Sequence, residues 1–449
     1  MQEETSRILI TGANGFVGRH LIAHLLDVVP DAWIYAAVHP ETVRDSSKQA
    51  DDHLDFDALI LKYEKKIFNV IYRFLNDHEE ATDLTQETFI AAFRHYDRFR
   101  GETKAFPWLY QIARTLCIHR FRRRRQQPTP QSNGQEDTEQ RAKIIASVQA
   151  AHSAGAKNET GSSPDTPDWN DATAKGRVEE VKLDIEDTRM TAELVEFIRP
   201  HQIYHLAARA SGADTDRNAV FAVNVEGTRH LLDAAANLNP FPRVLLAGTG
   251  YVYGNTDPAR PAREEDPVGP LWRFGAYTDS KIEMESVAKG YRALAIIARA
   301  FSHTGPGQMP TYALPAFARQ IARIERGLEP PAIRVGNLEA QRDLLDVRDV
   351  VRAYSALMQQ GTPGEVYNVA TGQPHRMRDT LDMLRALSST PTEVEVDPER
   401  LRPADIACST GDTLKMWGTT GWKPRIPLET TLRDTLDYWR EQTERTFRS

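Results

Sequence analysis

The amino-acid sequence predicts an α/β protein, a doubly wound parallel sheet interrupted by an inserted all-α helical domain. Three observations carry this reading. An apolar strand at Ile8 to Ile10 leads directly into a glycine-spaced turn and a helical apolar pattern. The strand and helix alternation stops after residue 40 and resumes at residue 178. Between those points, residues 55–125 hold three helical runs joined by short breaks.

Bulk properties set the limits. The 449 residues are enough for two or three domains with an ample core. The net charge of -7 averages over an uneven chain, with the basic run HRFRRRR at 119–125 and a mostly acidic and polar stretch at 159–187. Whole-chain charge therefore identifies no partner. Cys117 and Cys408 are far apart and neither stands in a C-x-x-C spacing, so no disulfide framework and no metal site are expected. No apolar run approaches the roughly 20 residues of a membrane span, and Met1 to Ser6 is polar, so a cytoplasmic protein with no membrane contact is expected.

The first element, RILITGANGFVGRHLIAHLL, places Gly12, Gly15 and Gly18 between a strand and a helix. Glycines there let the backbone turn tightly and approach a pyrophosphate, whose charge sits at the positive end of the helix. Taken alone, the motif is equally a tight strand-to-helix turn. The second strand, AWIYAAVH, would end in a carboxylate if NAD were the cofactor; Val38 and His39 stand there, with Arg44 beyond, which points to NADP rather than NAD. The alternation resumes at VEEVKLDIED with a strand ending at Asp184, then IYHLAA at 203–208 and the helix of NVEGTRHLLDAAA. RVLLAG leads into Thr249, and Tyr277-Thr-Asp-Ser-Lys281 follows. Helical spacing of four puts Tyr277 and Lys281 on one face, where an ammonium would lower a phenol's pKa.

Residues 6–40 and 177–442 resemble the extended short-chain dehydrogenase/reductase family through GANGFVG, LDIED, HLAA, NVEGT, the Thr before VYG, and YTDSK, all in order. The resemblance implies a Rossmann domain over 1–44 and 177–300, a smaller sugar-nucleotide lobe over most of 301–449, and a catalytic set of Thr249, Tyr277 and Lys281. It places Gly12, Asn14, Gly15, Phe16, Val17, Gly18, His39, Arg44, Asp184, Ile185, Leu206, Ala207, Ala208 and Asn224 at the NADP(H) or NAD(H) site, with Tyr277 and Lys281. The expected partners are a GDP-sugar substrate and a second copy of the chain.

ARAFSHTGPGQ, RVGNLEAQRDLLDVRDVVRAY, EVYNVATG, RPAD and TGWKPRIPLETTLRDTLDYWR look like the GDP-4-keto-6-deoxy-mannose reductases and their GDP-mannose dehydratase relatives. The dehydratases carry a carboxylate two positions after the Thr, for elimination of water; here Tyr251 stands there, which fits a reductase. A dehydratase or a sugar-nucleotide epimerase is the alternative enzyme. The resemblance assigns substrate contacts to Ser302, where the family usually has Asn, and to Arg342, Arg402 and Asp405. Arg342 reads as a clamp on the diphosphate; an ion pair with Asp343 or Asp346 is the other reading.

In the interruption, apolar residues recur at 56, 60, 63, 67, 71 and 74, a second helix is expected over 81–96 and a third from about Pro107 to Arg125. Residues 51–127 resemble region 2 of the extracytoplasmic-function sigma factors. By that resemblance Asp83, Leu84, Gln86, Glu87 and Phe89 face polymerase clamp helices, while the loop at 98–104, Trp108 and the run Arg122, Arg123 and Arg124 face unpaired DNA. No helix-turn-helix pattern follows, and residues 128–176 read as polar linker around a short helix at 138–151. A reductase carrying a passenger domain is the reading this favours, against a transcription-linked binding protein on a reductase scaffold. A replacement for residues 45–175 is expected to bridge two strands about 5 Å apart, or about 10 Å across an intervening strand.

Overall fold

A computed structural model gives the fold. It describes residues 6–39, 56–75, 78–93, 96, 109, 112–113, 116–117, 177–209, 216–269, 275–401 and 406–448. The chain divides into two compact units, Met1–Val43 with Ser162–Ser449, and Arg44–Gly161.

The described strands are β1 (Arg7–Thr11), β2 (Trp33–Val38), β3 (Val178–Lys182), β4 (Gln202–His205), β5 (Arg243–Thr249), β6 (Ala295–Ala300), β7 (Ser302–Thr304), β8 (Ala332–Val335), β9 (Gln341–Asp346), β10 (Val366–Val369), β11 (Pro374–Arg376), β12 (Glu393–Val396) and β13 (Cys408–Ser409). Their helices are α1 (Phe16–Val28), α2 (Phe56–Leu75), α3 (His78–Phe93), α4 (Thr188–Ile198), α5 (Arg217–Phe221), α6 (Gly227–Ala236), α7 (Ala276–Ala288), α8 (Ala313–Glu325), α9 (Val347–Gln360), α10 (Met377–Ala386), α11 (Leu414–Thr420) and α12 (Leu428–Arg448).

Seven strands form one sheet in the order β10-β6-β5-β4-β1-β2-β3, every pair parallel. Both faces are covered except at the β3 edge, which is why the other strands read as apolar runs rather than alternating ones. Ile8, Ile10, Ile34, Ala36 and Val38 face one layer with Leu21, Ile22 and Leu25 of α1. Leu9, Tyr35 and Ala37 face the other with Leu194, Val195 and Ile198 of α4 and Met284 of α7. The sequence order reverses between β1 and β4, the switch point where open α/β sheets hold ligands at their C-terminal edge. A second, smaller sheet of β11, β9 and β13, with β7 paired to β9, joins α8, α10 and α12 around its own core. The division expected at residue 300 is not clean, since β10 and α9 return to the large sheet. In that edge strand, VYNV, Tyr367, Asn368 and Val369 are buried.

β2 and β3 are neighbours, Ile34 beside Val178 and Val38 beside Lys182. The chain leaves β2 at the sheet's C-terminal edge and must re-enter β3 from the opposite edge. Between the levels of His39 and Arg177 lie six strand positions, about 20 Å at about 3.3 Å each. The expected lateral bridge of about 5 or 10 Å is therefore corrected: parallel neighbours require a crossing connection. On the face of β3 that meets α1's layer, Val178 is buried but Glu180 and Lys182 are exposed.

The second unit closes a core of its own. Phe56, Leu59, Ile60, Tyr63, Ile67 and Ile71 of α2 pack on Ala81, Leu84, Phe89, Ile90 and Ala92 of α3, with the helical residues Leu109, Ala113 and Cys117. The apolar face read from the sequence is the buried one, except that the side chain of residue 74 lies outside the described set. α3 starts at His78 rather than at residue 81. The 128–176 linker and its short helix also lie outside the described residues.

Candidate active site

The glycine turn is built for close approach. Gly12 has φ +69, and a Cβ there would stand 2.7 Å from the Ala207 amide nitrogen. At Gly18 a Cβ would stand 2.5 Å from the Ala13 carbonyl oxygen. α1 begins after Gly15 with no side-chain cap, so its leading amides remain available to an anion, and the turn fits a dinucleotide pyrophosphate. Asn14, Phe16 and Val17 are half-buried in the same turn, and the Phe16 ring stacks on His303 beyond β6. His39 follows β2, its Nε2 lying 3.9 Å from Asp184 Oδ1 beyond β3. Ile185 is buried against Gly227. Leu206, Ala207 and Ala208 follow β4, half-buried. These positions share the sheet's C-terminal edge; Arg44 lies outside the described residues.

Thr249 ends β5 on that same edge, and Tyr277 lies in the first turn of α7 with Lys281 one turn on. Thr249 lies near enough to the Tyr277 phenol to lower its pKa. Lys281 is buried and its Nζ donates to the Ala247 carbonyl at 2.7 Å, tying α7 to β5. Burial depresses the Lys281 pKa to about 8, with Glu285 opposing. The expectation that Lys281 lowers the phenol is corrected: burial raises Tyr277 above the ordinary tyrosine value, Tyr312 and Tyr251 add to it, and only Thr249 opposes. The ammonium lies 6.0 Å from the ring centre and is engaged with a carbonyl, so desolvation decides the sign.

A directional hydrogen-bond chain crosses beneath the cofactor turn. The Ala207 amide donates to Thr11 Oγ1 at 3.2 Å, and Thr11 Oγ1 lies 2.7 Å from His205 Nδ1. On the other side His205 Nε2 lies 2.8 Å from Thr228 Oγ1, which donates to the Asn224 carbonyl at 2.8 Å. Thr228's single hydrogen is committed, so Nε2 carries the imidazole proton and Nδ1 accepts from Thr11. Burial, with Lys281 nearby, holds the His205 pKa down at about 3, so the ring is neutral. The Asn224 side chain accepts from the Arg209 amide and donates to the Arg209 carbonyl and Ser280 Oγ, while Ser280 donates to the Tyr277 carbonyl. Asn224 thus acts from within a π-helical turn, Ala222–Glu226, to set the start of α7 against the loop after β4.

On the substrate side, Ser302 opens β7, its hydroxyl 3.0 Å from that of Tyr251. Arg342 sits on β9, donating to the Gln341 and Ile406 carbonyls. Asp343 accepts from Thr371, Gly372, Thr410 and Gly411, and Asp346 takes Arg348 and Thr431, so both carboxylates are committed to structure. Arg402 and Asp405 lie outside the described residues.

A family model described as GDP-mannose 4,6 dehydratase matches residues 151–435. The chain belongs to the GDP-mannose 4,6 dehydratase family. Within it, a GDP-6-deoxy-D-mannose reductase of Pseudomonas aeruginosa is 34% identical over 54% of this chain and 80% of its own. A solved structure of RMD from Pseudomonas aeruginosa complexed with NADPH shares 30% identity at TM-score 0.53, covering 61% of this chain and 94% of that one. A putative epimerase from Burkholderia cenocepacia, at 24% identity and TM-score 0.61, covers 97% of this chain and shares the fold. Two further models match elsewhere, Sigma-70 region 2 over residues 59–127 and Male sterility protein over residues 10–82.

Members of this dehydratase family are enzymes, and the residues that sequence reasoning left without a role here are Thr11, His205, Thr228, Ser280 and Tyr312. The histidine of HLAA was visible as a motif, but its work depends on two threonines distant in sequence. In the sigma-like unit, Asp83 is exposed and Gln86 and Glu87 half-exposed on α3. Leu84 and Phe89 are corrected: both are fully buried in the unit's own core. Both belong to the buried arc of α3, from Ala81 to Ala92. Trp108, Arg122, Arg123, Arg124 and the 98–104 loop lie outside the described residues. Among the described residues no helix is long and apolar enough to cross a membrane, and no cluster of metal-ligating side chains is found.

Proposed function

We propose that this chain reduces the C4 ketone of a GDP-4-keto-6-deoxy-hexose to a GDP-6-deoxy-hexose, using NADPH in preference to NADH. The observation that carries the reading is the joining of Thr249, Tyr277 and Lys281 over one strand end, with Tyr251 rather than a carboxylate two residues after Thr249. The 34% identity to a GDP-6-deoxy-D-mannose reductase supports the same choice.

A nicotinamide dinucleotide held by its pyrophosphate at the glycine turn would supply the hydride for the ketone. Tyr277 holds the proton. Its raised pKa keeps the phenol protonated at neutral pH, the state needed to donate to an alkoxide. Thr249, beside that phenol, is placed to share the same oxygen. Lys281 fixes α7 on β5 and adds positive charge beneath the site. Arg342 is the proposed contact to the diphosphate. The preference for NADPH rests on Val38 and His39 at the end of β2, with no carboxylate on that strand end.

NADPH oxidation with a GDP-4-keto-6-deoxy-hexose tests the reading. Turnover is expected, with a lower KM for NADPH than for NADH, and Tyr277→Phe should lose turnover while retaining NADPH binding. Elimination of water from GDP-mannose by the unsubstituted chain would replace the reductase by the dehydratase reading. The insert is proposed to keep a contact with polymerase or single-stranded DNA, supported by the Sigma-70 region 2 match and the accessible Asp83, Gln86 and Glu87. Loss of all binding by residues 51–127 at low salt would leave it a passenger without that activity.

A further inference from the structure

Two phenols and two aliphatic hydroxyls meet beyond the C-terminal ends of β5 and β6. Thr249 and Tyr277 belong to the reaction above. The other two are Tyr251 and Ser302, with their hydroxyl oxygens 3.0 Å apart. Tyr251 lies in the 3-10 turn Gly250–Tyr253, its amide donating to Thr249 Oγ1 at 3.3 Å. The ring of Phe301, the residue between β6 and Ser302, locks this geometry. A Cβ on Gly250 would stand 2.7 Å from that ring and one on Gly411 2.3 Å, so two glycines receive it.

Two hydroxyls that share one hydrogen bond leave one O–H hydrogen uncommitted. The pair has no other side-chain hydrogen-bond partner among the described residues. Both side chains are half-buried. Tyr251 is also close enough to Tyr277 to act on its titration, which puts the uncommitted donor beside the reacting phenol.

We propose that Tyr251 and Ser302 form one neutral recognition element for the hexose, donating that hydrogen to a ring hydroxyl beside the ketone. Tyr251 is then a specificity-determining residue that touches the sugar and not the nucleotide. A phenol in this place binds without supplying the carboxylate that elimination needs, so recognition and reaction type are set by the same side chain. The assignment rests on the sugar-nucleotide reading of the site, and binding rather than turnover tests it.

The full chain loaded with NADPH is titrated with GDP-mannose and, separately, with GDP, so that the ratio of affinities isolates the hexose. Tyr251→Phe and Ser302→Ala should each weaken GDP-mannose about threefold to tenfold, the loss of one hydrogen bond. GDP and NADPH affinities should not move. The double variant should be no weaker than the weaker single variant, because the two hydroxyls act as a unit. Unchanged GDP-mannose affinity, multiplicative losses in the double variant, or parallel losses for GDP would overturn the pair. If the unsubstituted chain binds UDP-glucose more tightly than GDP-mannose, the GDP reading fails alone. The same cycle with UDP-glucose against UDP then decides the pair.

Discussion

Replacing residues 40–176 by Gly/Ser linkers of two lengths tests both the passenger reading and the crossing geometry of β2 and β3. The ends to be joined are fixed by backbone bonds: Ile34 donates to the Arg177 carbonyl and Leu183 to the Val38 carbonyl, each at 2.9 Å. In that register His39 and Arg177 stand about 20 Å apart along the strands. A four-residue linker makes five Cα steps and reaches at most about 18 Å, whereas a twelve-residue linker reaches about 45 Å. The shorter linker must break the register and expose Val178 and Val181, both buried in the native sheet. The longer one has only to reach, since exposed Glu180 and Lys182 on the crossing face ask for no covering helix. Shortening the closed loop about tenfold lowers its closure cost by about 2 kcal/mol. Thermal melts, NADPH titration and turnover are the assays. The twelve-residue variant should melt at or a few degrees above the full chain, with kcat within about twofold, and the four-residue variant should be destabilised and bind NADPH poorly. An inactive or insoluble twelve-residue variant would show that the interruption supports the enzyme. Equal behaviour of both variants would refute the crossing geometry.

Further outcomes are expected at Lys281, at His205 and in the inserted unit. Turnover should fall on the alkaline side with an apparent pKa near 8 as Lys281 loses its proton, and Lys281→Arg should move that limb to higher pH. Because this lysine's pKa is depressed on folding, its part in stability should improve as pH rises from about 8 towards its unfolded value, which melts across that window would show. Thr228→Val strands the His205 Nε2 proton and should cost about 2 kcal/mol, lowering Tm by about 3 °C. The wild type should also lose stability as pH falls from 6.5 towards 3, where unfolded but not native His205 takes up a proton. Residues 51–127 alone should melt cooperatively, and Leu84→Ala there should cost about 2–5 kcal/mol, readable in urea.

The strands and their order along the chain were legible because burial on both faces leaves apolar runs, and Ile8 to Ile10 and RVLLAG are such runs. The insert's helices were legible for the complementary reason, since a helix closing a small core must repeat its apolar residues near every fourth position. Pairing was not legible. Nothing in VEEVK says that it lies beside AWIYAAV rather than one strand away, and that choice decides whether the connection bridges or crosses. The same limit misplaced Leu84 and Phe89. Five residues separate them, about 140° around a helix, and only packing shows that the buried arc of α3 is wide enough to take in both.

At the site, Thr249, Tyr277 and Lys281 were legible as residues, and the sign of their coupling was not. A spacing of four brings an ammonium and a phenol onto one helix face, and charge alone then predicts a lowered phenol pKa. The structure adds the strand beneath the helix. Ala247 takes the ammonium at 2.7 Å, and the phenol is desolvated among Tyr312, Tyr251 and Thr249. Desolvation outweighs the opposing effect of Thr249, so Tyr277 is held as an acid. An acid poised to give up its proton late suits reduction, where the alkoxide created by hydride addition is a far stronger base than the phenolate. In the oxidative direction the same residue would have to accept a proton from an alcohol against that desolvation. For the proposed reduction the protonated phenol is the working form, and the same desolvation that reverses the sign expected from spacing keeps it in that form.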